Sequence, residues 1–463
     1  MSQNNQLSFN LNMTMIRSLI RFGRRKLHTI VSTEIIKPSF PTPSHLKTYN
    51  LSPADQFVPG SFMPLITFYP KKIDTYHSPH DQILDLKNSL SQTLTKYYPL
   101  AGRHARIAPT YVDCNDHGAA FVEASVDSTL SHFLQNSQHE DLDQLFPYGR
   151  VWRHPNPRAD HDLQTDTVTP LMVKASHFEC GGLSVAVSLS HKIADACSMI
   201  NFFNDWAELN QVCSKIEKCE ALIEPEFISF EHTNINMPEF SPEVPKDCAT
   251  RSFIFPNAKL NALKLKVTSM TEGGGQNLSS LTRVDVLTWL LYKCAVAAAT
   301  KNNPGSFKPS SILVMANLRD KMMEPLPVSC IGNFVKGLVV QTTTERGMKP
   351  ELLIGELSKL KMGIRGLKNH EDFFSLLSNY KSDGRKSKIE NGYICSSICW
   401  YPTYGINFGW GAPIKATLPG NLSKNSFLLM DTPKREGIEA IVCLEKQEMD
   451  IVQRDPELLA FCT

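Results

Sequence analysis

The stretch LSVAVSLSHKIADACSMINFFNDWAEL, residues 183–209, changes its period part-way along. Leu183, Val185, Val187 and Leu189 alternate with small residues, which is the two-residue repeat of a strand. After Asp195 the large apolar residues Met199, Phe203, Trp206 and Leu209 recur at intervals of three or four, one face of a helix. His191 stands where the strand ends and the helix begins, a place from which side chains project into crevices rather than into a core. With Asp195 four residues on, it has the form of a catalytic base and its support. Plainer readings exist for both: Asp195 as a helix N-cap accepting orphan amide bonds, His191 as a partly buried imidazole with its hydrogen bonds met.

The same His-x-x-x-Asp spacing occurs at His77/Asp81 and His139/Asp143. In a chain with 14 histidines about one such match arises by chance, so spacing alone does not choose. Context does. HSPHD (77–81) contains a proline and sits in a polar connection, and QHEDLDQLF (138–146) is an acidic run expected to be solvated. Only the pair at 191 and 195 lies on a strand-to-helix junction.

Outward from that junction, helices and strands mix along the whole chain. PLITFYP (64–70) reads as a strand, and Ile83, Leu86, Leu90 and Leu94 mark a helix that Pro99 and Gly102 bring to an end. YVDC and AAFVEASV are strands around the turn residues NDHG. Beyond residue 250 come strand RSFIFP, a helix within SLTRVDVLTWLLYKCAVAAA, strand SSILVMANLR, and terminal strands FLLMD and IEAIVCL. Between them periodicity fades into EPEFISFEHTNINMPEFSPEVPKD (224–247). The reading is an α/β protein of two domains, 33–212 and 251–463, joined by a crossover at 213–250.

Of the 463 residues, 42% are hydrophobic and 20% charged, and the net charge is +2. That balance offers no field for nucleic acid or an anionic membrane, and no apolar run approaches the roughly 18 residues of a membrane span. Small-molecule partners and a cytoplasmic monomer are the expectation. Twelve cysteines without CxxC pairs point to reduced thiols rather than zinc, Cys395 and Cys399 included. Residues 1–32 carry no acid and set Ile16, Leu19, Ile20 and Leu27 against Arg17, Arg21, Arg24 and Arg25. This is the composition of a transit peptide. A disordered extension, or an upstream start with Met13 or Met15 as another, fits it as well.

Two further stretches bear on the junction. NFGWGAP (407–413) places Gly409 and Gly411 around Trp410, a backbone suited to close packing. ANLRDKM (316–322), followed by SCIGNFV (329–335), supplies Arg319 at the end of an apolar strand and Asn333 after Gly332. A buried arginine needs an anionic partner, and Asp195 is a candidate.

Taken in order, IIKPSFPTP, YYPLAGR, VDCNDHGAAFVEA, HFECGG, HKIADA, NLR, GN, NFGWG and LLMDTP resemble the plant BAHD acyl-CoA-dependent acyltransferases from about Thr33 onward, and most nearly their alkaloid and terpenoid (limonoid-type) O-acetyltransferase branch. The resemblance implies two chloramphenicol-acetyltransferase-like domains, mixed sheets flanked by helices, with a solvent channel between them. Acyl-CoA, acetyl-CoA first, is the implied co-substrate and an alcohol the acceptor; no metal is implied. His191 matches the catalytic histidine, and Asp195 an aspartate turned away from substrate towards Arg319. Asn333 is implied at the thioester or oxyanion, Thr282 and Arg283 along the CoA channel, and Asn407, Gly409, Trp410 and Gly411 in a structural motif. A neutral imidazole, with an ordinary pKa of about 6.5, can take an alcohol's proton as the oxygen attacks the thioester. Without a GxSxG elbow no acyl-enzyme is required. The alternatives are a silent paralogue that binds an acceptor or a pathway enzyme, and a transferase using a longer acyl donor.

SICWYPTYGINFGWG (397–411) departs from the family's usual SWCRFPxYDxDFGWG. Ile398 replaces a tryptophan, Trp400 an arginine, Gly405 an acid and Asn407 the motif aspartate, which puts acceptor choice and channel geometry in question more than chemistry.

Overall fold

The computed structural model describes residues 28–71, 79–147, 167–213, 224–228, 230–231, 247–271, 281–302, 307–378 and 391–463. Twelve of its strands form two six-stranded sheets: β1 (His28–Ile36), β2 (Phe62–Tyr69), β3 (Ala119–Val126), β4 (Leu171–Phe178), β5 (Leu183–Ser190), β6 (Cys248–Pro256), β7 (Ser310–Asn317), β8 (Val335–Thr342), β9 (Asn391–Ser397), β10 (Lys415–Thr417), β11 (Ser426–Asp431) and β12 (Gly437–Glu445). The first sheet runs β1-β3-β4-β5-β2-β10 and the second β6-β12-β11-β9-β7-β8; both mix parallel and antiparallel pairs. Four helices matter for the site: α1 (Pro53–Phe57), α2 (Pro79–Lys96), α3 (Ala196–Cys213) and α4 (Arg283–Asn302).

The two-residue repeat of β5 turns Val185, Val187 and Leu189 onto one face, where they meet Leu86, Leu90 and Leu94 of α2 and Met199, Phe203 and Trp206 of α3 in one buried cluster. Each such side chain contributes about 1.5–3 kcal/mol by leaving water. The Trp206 indole N–H, which burial would otherwise strand, donates to Ser89 Oγ at 3.0 Å. In the second half Trp289, Leu290 and Tyr292 of α4 pack with Ile312, Tyr393, Phe427 and Leu429 from its sheet. No helix among the described residues is long and apolar enough to cross a membrane.

Three details differ from expectation. β1 begins at His28 and pairs antiparallel with β3, His28 opposite Val126 and Ser32 opposite Glu123, so the boundary at residue 32 falls inside a strand. Most of β1 is exposed, and an edge strand of that kind lacks the apolar alternation that would announce it. Residues 1–27, with most of the basic extension, lie outside the described residues.

The partition into 33–212 and 251–463 is also crossed. β10, from the second half, lies antiparallel along β2 with Thr417 opposite Ile66 and Lys415 opposite Phe68. It covers an edge that the first half leaves open, and three residues are too few to show a period.

The acidic run is not solvated. Leu142, Leu145 and Phe146 are buried, Asp143 Oδ1 accepts from the amides of Gly420 and Asn421 at 2.8 and 3.1 Å, and Glu140 accepts from Thr250 N at 3.2 Å. Its carboxylates dock one half of the chain onto the other. His139 Nδ1 is 3.3 Å from the Leu418 carbonyl in the same junction. Of the remaining pair, His77 lies outside the described residues.

Candidate active site

β5 ends at Ser190 and α3 starts at Ala196, leaving five residues to turn the chain. The His191 amide continues the sheet by donating to Ser61 O at 2.8 Å. Its ring Nδ1 is 3.0 Å from Ala194 O. A carbonyl only accepts, so Nδ1 carries the proton and Nε2 is left with its lone pair free to accept one. Burial lowers the pKa of this half-buried imidazole below 6.5, partly offset by its hydrogen bonds and by the charge of Asp195, so the ring is neutral at pH 7.

Asp195 faces the other way. Its Oδ2 accepts from Arg319 Nη1 at 2.7 Å and Phe334 N at 3.1 Å; its Oδ1 accepts from Arg319 Nη2 at 3.1 Å and from the amide and hydroxyl of Ser198, both at 3.0 Å. Both oxygens are saturated without the imidazole. The N-cap reading and the ion-pair reading of Asp195 therefore hold together, since Ser198 is in the first turn of α3. Burial raises its pKa, but the charge and hydrogen bonds of Arg319 outweigh that and hold the carboxyl below its ordinary value. Arg319, 1% exposed, places its guanidinium 4.8 Å from the centre of the Phe334 ring and also donates to the carbonyls of Cys330 and Gly332.

Asn333 joins this group in a different role from the expected oxyanion contact. Its Nδ2 donates to His191 O at 2.7 Å and to Asp55 Oδ1 at 2.8 Å. Both partners only accept, so the amide orientation is fixed and both its N–H groups are committed. No donor remains for an oxyanion; Oδ1 is buried without a partner among the described residues. Asp55 itself escaped the sequence reading. The signal available was Ser52-x-x-Asp55, a helix-start pattern, and it is realised as a capping box on α1. Nothing local reveals that the carboxylate also reaches a residue 278 positions away.

Thr282 and Arg283 are not brought to the His191 turn by any described contact. Thr282 caps α4 through Asp285, at 2.7 Å from its hydroxyl, and Arg283 donates to Asn257 while lying 5.4 Å from the ring of Trp400. Trp400 is 62% exposed at φ 74°, with Arg435 5.1 Å from the same ring. The sequence position without its family arginine is thus flanked by two others.

NFGWG serves as a staple. Phe408 packs on Trp206 at 4.9 Å and Trp410 on Tyr69 at 5.4 Å, both edge to face. Asn407 Oδ1 accepts from the amides of Gly409 and Gly411, each at 2.9 Å, in a loop where those glycines take φ 98° and 100°. No group of three or more His, Cys, Asp or Glu among the described residues could hold a metal ion.

The Transferase family profile matches residues 27–459. The chain belongs to this family, the BAHD acyltransferases. Relatives of this BAHD acyltransferase include stemmadenine O-acetyltransferase of Catharanthus roseus, 32% identical, with 92% of this chain and 96% of the relative covered. A 17,18-epoxy-17-hydroxycur-19-ene N-malonyltransferase of Strychnos nux-vomica is also 32% identical, over 94% and 90%. Among solved structures, vinorine synthase matches with a TM-score of 0.76 at 30% identity, over 94% of this chain and 98% of its own. BAHD enzymes use acyl-CoA as co-substrate and act on small-molecule acceptors.

The departure of this BAHD acyltransferase at Asn407 has a local test. A carboxylate would take the same two amides by charge-assisted bonds, which are about twice as strong as neutral ones. Asn407→Asp is expected to raise the melting temperature modestly and to change kcat by less than about tenfold. Thermal shift and steady-state kinetics on the purified pair check it; a hundredfold rise in kcat would show that the loop governs the chemistry.

Proposed function

We infer that this enzyme transfers acetyl from acetyl-CoA to a hydroxyl of a plant specialised metabolite, an alkaloid or a triterpenoid alcohol, with His191 as general base. One observation carries the reading: the Nδ1 contact to Ala194 O, which leaves Nε2 as the accepting nitrogen of a neutral ring. As the acceptor oxygen attacks the thioester carbonyl, Nε2 takes its proton, and the imidazolium returns that proton to the departing CoA thiolate. Assistance of this kind is worth about 10² to 10⁴ in rate. The reaction needs no acyl-enzyme. The nearest thiol along the helix, Cys197, is pushed up to about 11 by burial and is a poor nucleophile at neutral pH.

The O-acetyltransferase relative supports acetyl and a hydroxyl. The N-malonyltransferase relative favours a second reading, another acyl donor with an amine acceptor. Purified enzyme offered acetyl-, malonyl- and benzoyl-CoA, each with a panel of alkaloid and triterpenoid alcohols and amines, decides between them by the product mass. Products heavier by acetyl on alcohols support the first reading; malonyl or benzoyl adducts alone, or amides alone, overturn it.

The pH profile offers a second check. A base must be unprotonated to work, so activity falls as pH drops through the pKa of His191. Because that pKa is lowered from 6.5, the acidic limb of kcat/KM is expected to have its midpoint below 6.5, with a plateau through neutral pH. A midpoint above 7 would contradict a desolvated imidazole base.

A further inference from the structure

A second buried carboxylate, besides Asp195, is tied to the turn that carries His191. Asp55, 1% exposed, belongs to α1, a helix of five residues, too short to persist without outside support. Its Oδ2 accepts from the amide and hydroxyl of Ser52 at 2.9 and 2.7 Å. Its Oδ1 accepts from the amide and Nδ2 of Asn333 at 2.9 and 2.8 Å. The next amide along, Phe334 N, goes to Asp195. Consecutive backbone donors of one segment are thus divided between two carboxylates from distant parts of the chain. The same Nδ2 that Asp55 holds also holds His191 O. A return contact comes from Lys192, the residue after the base, whose Nζ donates to the carbonyls of Gln56 and Val58 at 3.0 and 2.6 Å. With His191 N bonded to Ser61 O, residues 52–61, 191–192 and 333 form one closed hydrogen-bonded circuit.

We propose that Asp55 is a positioning residue for acyl transfer: it orients the Asn333 amide, which fixes the carbonyl of His191 and with it the direction in which Nε2 meets the acceptor hydroxyl. An acceptor-only carboxylate suits four converging donors. Burial raises its pKa to about 6, and at pH 7 it is mostly ionised. Asp55 acts through Asn333 rather than on the reacting atoms. The inference rests on His191 being the general base.

The test uses the full chain with acetyl-CoA and the best acceptor from the alcohol panel, comparing wild type, Asp55→Ala, Asp55→Asn, Asn333→Ala and the double variant Asp55→Ala/Asn333→Ala. Misplacement of a reacting group by about 1 Å costs on the order of a hundredfold, so Asp55→Ala is expected to lower kcat by about that factor and Asp55→Asn, which keeps one acceptor oxygen, by about tenfold. KM for acetyl-CoA should stay within about threefold, since the loss is one of orientation and not of binding. The double variant should be no more than about twofold slower than the slower single variant, because both act through one path. Should Asp55→Ala fail to fold, Asp55→Asn carries the comparison. Unchanged kcat in a folded variant, a loss confined to KM, full additivity, or insolubility of both Asp55 variants would each overturn the proposal. His191→Ala, run alongside, separates the failures: if it remains active, the general-base reading falls first. If it is inactive while Asp55→Asn turns over like wild type, only the positioning role falls.

Discussion

His191→Ala is expected to lower kcat/KM for acyl transfer by at least about a hundredfold, the lower end of what a positioned general base supplies, in a protein that remains folded. The reasoning is local. The imidazole is half-buried at the end of β5, its Nδ1 proton is committed to Ala194 O, and Asp195 is saturated elsewhere, so neither offers a second base to replace Nε2. The fold has little stake in the ring, because the contacts that anchor the turn at this residue, to Ser61 O and from Asn333, are made by its backbone and survive truncation. Circular dichroism would check the fold and CoA release the rate. More than about a tenth of wild-type turnover would remove the general-base assignment. His139→Ala is the matching control: it lies in the junction between the halves, so its cost should appear in stability and not in transfer.

Asp195→Ala is expected to lower stability by about 3–5 kcal/mol as well as activity. Arg319 would keep its guanidinium in a site that is 1% exposed, facing carbonyls, a hydroxyl and the Phe334 ring, with no anion left in contact among the described residues. The N-terminus of α3 would lose its cap on Ser198 N at the same time, and Phe334 N its acceptor. Activity should fall because one short segment is bonded to Asp195 through Gly332 O and Phe334 N and to His191 O through Asn333 Nδ2, so its displacement moves the base. Denaturant unfolding at constant m value measures the first effect. Arg319→Ala should cost a similar amount by stranding the carboxylate. If Asp195→Ala unfolds at the wild-type midpoint, the pair is not the internal brace its geometry implies.

How much could be read beforehand divides along physical lines. The change of period at residues 189–196 marks a strand–turn–helix in any setting, so β5, the turn and α3 were legible. The pairing of Asp195 with Arg319, 124 positions apart, was legible because a charge at the end of an apolar strand demands a counter-charge. Asp55 was not, since its capping role on α1 satisfies every local signal and conceals the long-range one. Asn333 was placed at the right site with the wrong partner; which acceptors use up an amide's two hydrogens depends on tertiary distances. The acidic run at 138–146 misled for a related reason: carboxylates that receive backbone amides across an interface look, in sequence, like carboxylates that face water.

The strand β10 gives the first half of this protein a schedule. Its sheet lacks one edge strand until residues 415–417 have been made, some 200 residues after α3 ends at Cys213. At typical synthesis rates that is a wait of roughly 10 to 40 s. During that interval the amides and carbonyls of β2 that later pair with β10 are open to any passing strand, and the NFGWG loop that will seat Phe408 and Trp410 on Tyr69 and Trp206 has not yet left the ribosome. The two halves therefore mature together, late and once, and a chain truncated before residue 407 would be released with a sticky edge and an unfilled apolar seam, a substrate for chaperones rather than a smaller enzyme.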